Sequence, residues 1–290
     1  MSFECLRPRI AIQEEEGKKP KFLRFSDYEF ALKVYSKTDR VLLIPCGYCV
    51  NCQKRKAQEW TARLLKETEN HKFAYFVTLT YNNENIVDED GVVTDINKRD
   101  LQLWLKRYRF NFGIKLKYYI CGEHGETYGR PHYHAILFQD KEIPDLRFYA
   151  DNLYISDKFT ECWSHGNCLI SKQVNERSIK YTIAYTLKKL GEEKVVLMSK
   201  GIGLDYFKNY KERIMDHDGF YITNGFKQKP PTYFRRKLKE SEDINDMMYL
   251  KIKEDEPRAS TCLSGTYLGD LFAKFIESSK KLEFKGKGVL

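Results

Sequence analysis

GRPHYHAILF, residues 129–138, decides how this chain is read. The run is apolar and aromatic after Pro131, which suits a strand whose first position can do without an N–H. In a strand, side chains at i and i+2 share a face, so His132 and His134 stand side by side. Neutral imidazole is the commonest metal ligand, and two together suit a divalent cation.

A third ligand is expected nearby, and a carboxylate is usual. KLKYYICGE, residues 115–123, reads as the preceding strand, joined to the histidine strand by the turn-rich GETYGRP. If the two pair antiparallel, Glu123 at the end of one lies beside His132 and His134 at the start of the other. Glu126 and His124 are the competing choices, both in the connection. A His/His/carboxylate set with open positions suits Mg²⁺ or Mn²⁺ acting on a phosphate.

Working outward, AYFVTLTY (74–81) reads as a buried strand. KRDLQLWLKRYRFNF (98–112) carries Leu101, Leu105, Tyr108 and Phe112 on one stripe, a helix stopped near Gly113. LRFYADNLYISDKFTECW is expected to contain another helix and NCLISKQV a short strand. NERSIKYTIAYTLKKLG follows as a helix, with Asn175 as N-cap and Gly191 as stop. The order β-α-β-β-α-β-α predicts an α+β fold of the split βαβ, ferredoxin-like kind: an antiparallel sheet with helices on one face. Upstream, VLLIP reads as a short strand and QKRKAQEWTARLLKETE as an amphipathic helix. Downstream, SKGIGLDYF reads as a turn and KQKPPTYFRRKLK as a solvated basic loop or a phosphate contact. These readings divide the chain into an N-terminal segment (1–70), a core (71–240) and a polar tail (241–290).

The helix after Asn175 carries the second cluster. At about 100° per residue, Tyr181 and Tyr185 lie within about 40° of each other, with Lys188 and Lys189 beside them. Ile183, Leu187 and Leu190 fall on the other side, so the expectation is a helix packed through aliphatics, with phenols and ammonium groups opposite. A phenol can attack a phosphodiester when a metal polarises the phosphate, giving a phosphotyrosine and a free 3′-OH. A lysine there offsets charge in the transition state. Two tyrosines on one face allow two transesterifications in sequence.

FVTLTY, then GE-x7-RPHYHAILF, then Y-x3-Y-x2-KK, in that order, resembles the motif series of HUH-superfamily rolling-circle replication initiators. GEHGETYGRPHYHAILF, CGYCVNC…EWTAR and SKGIGLDYF resemble the initiators of small single-stranded DNA microviruses, gokushovirus branch. The resemblance covers roughly residues 40–240. It implies an HUH endonuclease core of ferredoxin-like plan and metal at His132 and His134, with Glu123 as the third ligand. It also implies nucleophiles at Tyr181 and Tyr185, with Lys188 or Lys189 in support. The function it implies is that of a site-specific single-strand endonuclease and ligase that starts and ends rolling-circle replication of a phage in the host bacterial cytoplasm. Other enzymes of the same chemistry, a relaxase or a plasmid initiator, remain open.

Cys46, Cys49 and Cys52 in CGYCVNC make a good part of a structural Zn²⁺ site, with Cys5 as candidate fourth ligand. An iron–sulfur cluster and free thiols are the alternatives. With no signal peptide in MSFECLRPRIAIQEEEGKK, a reducing compartment is expected, which favours metal over disulfides. The net charge of +9 favours a polyanionic partner, and 20 Tyr with 18 Phe offer stacking surfaces for unpaired bases. Single-stranded and origin DNA are the expected partners. No run of 18 apolar residues appears, so no membrane partner is expected. No GxxxxGK[ST] appears, so a host helicase is expected to unwind ahead of the host DNA polymerase machinery. The competing class is a Zn-containing single-stranded DNA-binding protein that stacks bases and does not cut.

Overall fold

The computed structural model describes residues 5, 6, 8–12, 18–23, 41–87, 95–125, 129–187, 195–209, 220–223 and 226–240. In chain order the elements are β1 (Arg9–Ile12), β2 (Lys21–Phe22), β3 (Val41–Ile44), α1 (Val50–Thr68), β4 (Phe73–Thr80), α2 (Lys98–Phe112), β5 (Lys117–His124), β6 (Pro131–Gln139), β7 (Arg147–Ala150), β8 (Leu153–Ile155), α3 (Asp157–Trp163), β9 (Cys168–Ser171), α4 (Glu176–Leu187), β10 (Val196–Met198), α5 (Leu204–Asn209), β11 (Tyr221–Thr223), β12 (Phe226–Gln228) and α6 (Thr232–Glu240). Contacts group the chain into two compact units. One holds residues 59–213 and 231–234; the other holds 1–58, 214–230 and 235–290.

The unit holding the histidine strand is mixed α+β. Its seven-stranded sheet has the order β10-β5-β6-β4-β9-β8-β7, and each neighbouring pair is antiparallel. Strands β4 and β5 both oppose β6, so they run parallel to each other with β6 between them and α2 as the crossover. That is the split βαβ order expected from the sequence. The alternation in β4 is visible: Tyr75, Val77 and Leu79 are buried and the residues between them half-buried. Helix α2 starts at Asn97, whose side chain accepts from the Arg99 N–H, and stops at Gly113 (φ +56°). It buries Leu101, Trp104, Leu105 and Tyr108.

The helices lie on both faces of this sheet, not on one. Tyr75, Val77, Leu79, Tyr133, Ala135 and Leu137 pack with α2 and α3. On the other face Cys121 Sγ donates to the Thr182 carbonyl at 3.3 Å, and the Tyr119 hydroxyl donates to Thr186 at 3.2 Å, both on α4. Trp60 of α1 covers Tyr119 from the same side. The reason is in β6, where Ile136 and Phe138 are as fully buried as Ala135 and Leu137. A strand apolar on both faces demands cover on both.

Two further expectations need correction. Residues 146–163 form the hairpin β7–β8 before a helix of seven residues, α3. Asp151 takes a left-handed conformation (φ +49°) at the turn, and Ser156 caps α3 by accepting from the Phe159 N–H. Strand propensity in RFYA and LYI and the short polar turn outweigh the apolar spacing that suggests one longer helix. The basic stretch 227–239 is not a loop throughout. It contains the end of β12 and, after Pro230 and Pro231, helix α6. Proline cannot extend a strand ladder but suits the approach to a helix.

One buried ion pair ties α1 to the sheet. Glu67 has no solvent exposure; it accepts from Lys117 Nζ and His71 Nε2, each at 2.8 Å, and from the Gly203 N–H. Burial alone would raise its pKa, but these donors hold it below the usual carboxylate range. Its stabilisation is therefore complete above the ordinary carboxylate pKa and is lost as pH falls through the depressed folded value. Glu67→Ala leaves Lys117, His71 and an amide unpartnered, and is expected to cost about 3 kcal/mol at neutral pH. Urea unfolding at pH 7 and pH 3 checks it, since the gap between variant and parent should shrink at the lower pH.

The other unit contains the three-stranded antiparallel sheet β2-β1-β3 and the hairpin β11–β12. Ile10, Ala11 and Ile12 of β1 are buried in it. No helix among the described residues is long and apolar enough to cross a membrane.

Candidate active site and cysteine cluster

Register builds the first cluster. Strands β5 and β6 pair so that Glu123 lies directly opposite His132 and Cys121 opposite His134. Side chains opposite each other share a face, so the carboxylate and both imidazoles converge. Glu123 Oε1 accepts from His132 Nε2 at 2.7 Å and from His134 Nε2 at 2.6 Å. Of the competing third ligands, His124 pairs with Asp95 at 2.9 Å, and Glu126 lies outside the described residues.

The second nitrogen of each ring is also used. His132 Nδ1 donates to the Arg130 carbonyl at 3.0 Å, and His134 Nδ1 lies 3.3 Å from Thr78 Oγ1. These bonds orient both rings with Nε2 towards the carboxylate, as outer partners orient metal-binding histidines. His132 donates from both nitrogens and so is charged in this arrangement. The Glu123 hydrogen bond raises its pKa against the opposing effect of burial. Burial would lift Glu123, but His132 and His134 override it and hold it at about 2.

The donor set fits a small divalent cation. The three candidate ligand atoms lie within 4.8 Å of one another. Neighbouring ligands of an octahedral Mg²⁺ stand about 3 Å apart, so little movement is needed. The protons on the imidazoles occupy the place where the cation's charge would go.

The tyrosine helix meets this cluster directly. The His134 ring is sandwiched between Phe76 (5.6 Å, 14°) and Tyr185 (5.5 Å, 25°), and Tyr181 meets it edge-on at 5.1 Å. The two phenol rings are 4.7 Å apart. Tyr181 is 45% exposed, whereas Tyr185 is half-buried. Burial, the hydrogen bond with Tyr181 and the Glu123 charge raise the Tyr185 pKa; its hydroxyl also donates to the Glu123 carboxylate.

The expectation that the phenols stand opposite the packed side of the helix is therefore corrected. The buried face of α4 holds Ile179, Thr182 and Ile183, and the phenols lie along its edge, against the sheet. Small threonines let the helix roll until the aromatic rings reach His134. Asn175 caps α4 as expected, its side chain accepting from the Arg177 and Ser178 N–H groups. Lys188, Lys189 and Gly191 lie outside the described residues. Sequence pattern does not single out Phe76 and Thr78, although both sit in FVTLTY. Only the pairing of β4 with β6, Thr78 opposite His134, shows that they touch the histidines.

In the other unit, Cys5, Cys46, Cys49 and Cys52 bring their sulfurs within 4.8 Å of one another. The Cys5–Cys49 and Cys46–Cys52 separations are both 3.9 Å. Four sulfurs around a tetrahedral ion with bonds of about 2.3 Å would stand about 3.8 Å apart, so the cluster fits a metal without rearrangement. Backbone N–H groups of Cys46 and Cys49 donate to the sulfurs of Cys5 and Cys46, at 3.3 Å each. Burial would raise the Cys49 thiol, but N–H groups of Cys52 and Leu6 and the neighbouring thiols bring it down to about 7. Cys121, Cys162 and Cys168 are buried singly, as expected for ordinary core thiols; Cys262 lies outside the described residues.

Comparison with known proteins agrees with this geometry. Residues 74–190, which span β4 to the tyrosine helix, match the family described as replication-associated protein ORF2. Replication-associated protein ORF2 of Spiroplasma virus 4 is 30% identical, over 96% of this chain and 97% of its own length. The chain belongs to the family of phage replication-associated proteins. Two other replication-associated proteins are similar over large parts of the chain. VP4 of Bdellovibrio phage phiMH2K is 26% identical over 94% of the chain and 89% of its own length. ORF4 of Chlamydia phage 1 is 27% identical over 69% and 55%. No solved structure matches. Family membership bears out the resemblance to phage replication initiators read from the sequence motifs.

Proposed function

We propose that the chain is a metal-dependent, site-specific single-strand DNA endonuclease and ligase with an HUH-type core. It nicks the origin through phosphotyrosine, and so starts and finishes rolling-circle replication of a small single-stranded DNA phage. The observation that carries this reading is the packing of Tyr181 and Tyr185 onto the imidazole of a Glu123/His132/His134 cluster. A binding module has no use for two phenols at a convergent cation site.

Glu123, His132 and His134 would hold Mg²⁺ or Mn²⁺, which supplies Lewis-acid polarisation of a phosphate oxygen. Phe76 and Tyr185 keep the His134 ring in place, and Thr78 and the Arg130 carbonyl set the nitrogen each histidine presents. A phenol attacks phosphorus, the P–O3′ bond breaks, and the 3′ oxygen leaves as a hydroxyl after taking up a proton. The phenol's own proton is lost to solvent, and Lys188 or Lys189 would offset the charge that develops. The second phenol repeats the step on the regenerated origin. The freed 3′-OH then attacks the first phosphotyrosine, closing the strand and restoring the phenol. The other partners proposed are host helicase and DNA polymerase, in the host bacterial cytoplasm.

Trapping tests the reading. Incubation with single-stranded oligonucleotides tiling the phage genome and Mn²⁺ is expected to give a protein–DNA adduct that survives SDS. Binding without any adduct would favour the Zn-containing DNA-binding alternative.

For the four cysteines the proposed ligand is structural Zn²⁺. Cys49→Ser is expected to lower Zn²⁺ content from about one equivalent to a small fraction and to destabilise the N-terminal fold by several kcal/mol. Elemental analysis with thermal unfolding measures both. Parent protein free of zinc and iron after expression with both metals would count against a metal there; iron in its place would indicate a cluster.

A further inference from the structure

Arg130 lies two residues before His132 and is exposed. Its carbonyl accepts from His132 Nδ1 and, at 2.9 Å, from the Gly125 N–H. Its side chain reaches instead to the chain leaving β4. Nη1 and Nη2 each donate to Asn83 Oδ1 at 3.1 Å, and Nη2 also donates to the Tyr81 carbonyl at 3.1 Å. That stretch is itself pinned, because the Asn82 N–H donates to the His165 carbonyl at 2.8 Å. Gly166 (φ +154°) permits the close approach, since a Cβ there would lie 2.3 Å from the Thr80 carbonyl oxygen. The guanidinium is therefore held in a set plane between two stretches of backbone.

Its charge is not spent. Of five N–H donors, these bonds use three. Among the described residues, no carboxylate forms an ion pair with Arg130, whereas Lys117, Arg147, Lys172 and Lys180 of the same unit each face one. A fixed, un-neutralised guanidinium beside a site for a polyanion is a phosphate receptor. Because the side chain turns from Glu123 towards Asn83, the phosphate within its reach neighbours the one being cut.

We propose that Arg130 anchors a flanking phosphate of the single strand and so sets which linkage lies under the phenols. This rests on the strand-cleavage reading above. Binding of a fluorescent single-stranded oligonucleotide that the wild type cleaves, measured across a salt series, tests it. Arg130→Gln is expected to bind about tenfold more weakly at low salt, with the slope of log K against log salt shallower by about 0.7, the value for one phosphate contact on a single strand. Arg130→Lys keeps the charge and should keep the slope.

A second measurement needs only wild-type protein. One neutral methylphosphonate, placed in turn at each linkage flanking the cut, should weaken binding about tenfold at one position. Arg130→Gln should be indifferent to that same replacement. Weaker binding by Arg130→Gln with an unchanged salt slope, or no sensitive flanking linkage, would overturn the proposal while leaving the nuclease reading intact. A wild-type chain that binds but never forms an adduct would overturn both.

Discussion

Replacing both Tyr181 and Tyr185 with Phe is expected to abolish the SDS-resistant DNA adduct, while strand binding survives within a few-fold. The two rings pack against one histidine and each other, so Phe preserves the contacts and removes only the nucleophilic oxygens. Loss of a covalent nucleophile leaves water as the acceptor and removes the phosphotyrosine altogether. Denaturing gels with a labelled oligonucleotide measure the adduct, and anisotropy measures binding. The single variants carry further information. If either phenol can start the reaction, each single variant keeps an adduct and only the double loses it; if one alone initiates, its single variant suffices. In both cases transfer of a bound strand to a second oligonucleotide should fail in each single variant, because that step needs two phenols. An adduct of wild-type intensity in the double variant would remove the tyrosines from the reaction.

The second large effect is expected at the histidines. His132→Ala and His134→Ala should each reduce Mn²⁺-dependent cleavage by about 10³-fold or more, because lost phosphate polarisation is worth several kcal/mol. Their effects on stability should differ. His134 is 6% exposed and its ring lies between Phe76 and Tyr185, so truncation opens a cavity and costs about 2 kcal/mol. His132 is 21% exposed and should cost less than half as much. Cleavage at limiting Mn²⁺, paired with urea unfolding, separates the two consequences. Full activity of either variant at limiting Mn²⁺ would rule out the cation site as drawn. Loss of activity in proportion to unfolded protein would mark the histidines as structural.

Much of this site is legible in the order of residues because it rests on local periodicity. His132 and His134 share a face because a strand repeats every two residues, and Tyr181 and Tyr185 share one because a helix turns in about 3.6. Helix α2 can be bounded at 98–112 because Asn97 and Gly113 are its own punctuation. The β7–β8 hairpin is not legible in the same way, because short apolar and aromatic runs suit either element, and the turn residues that decide between them are Asp151 and Asn152.

Other features depend on residues distant in the chain, and there local pattern has no reach. The choice of Glu123 over its neighbours follows from the β5–β6 register, which sets it opposite His132 and turns His124 to Asp95. Cys5 meets Cys49 across 44 positions because the fold of the N-terminal unit returns the chain there. Thr78 and Phe76 join the histidines only through the pairing of β4 with β6. The side of the sheet that receives α4 was decided by burial, since β6 is apolar on both faces and water must be excluded from each. Backbone geometry thus determined which side chains travel together along each element. Strand pairing and the burial of apolar surface, which act between elements far apart in sequence, decided which of those groups meet.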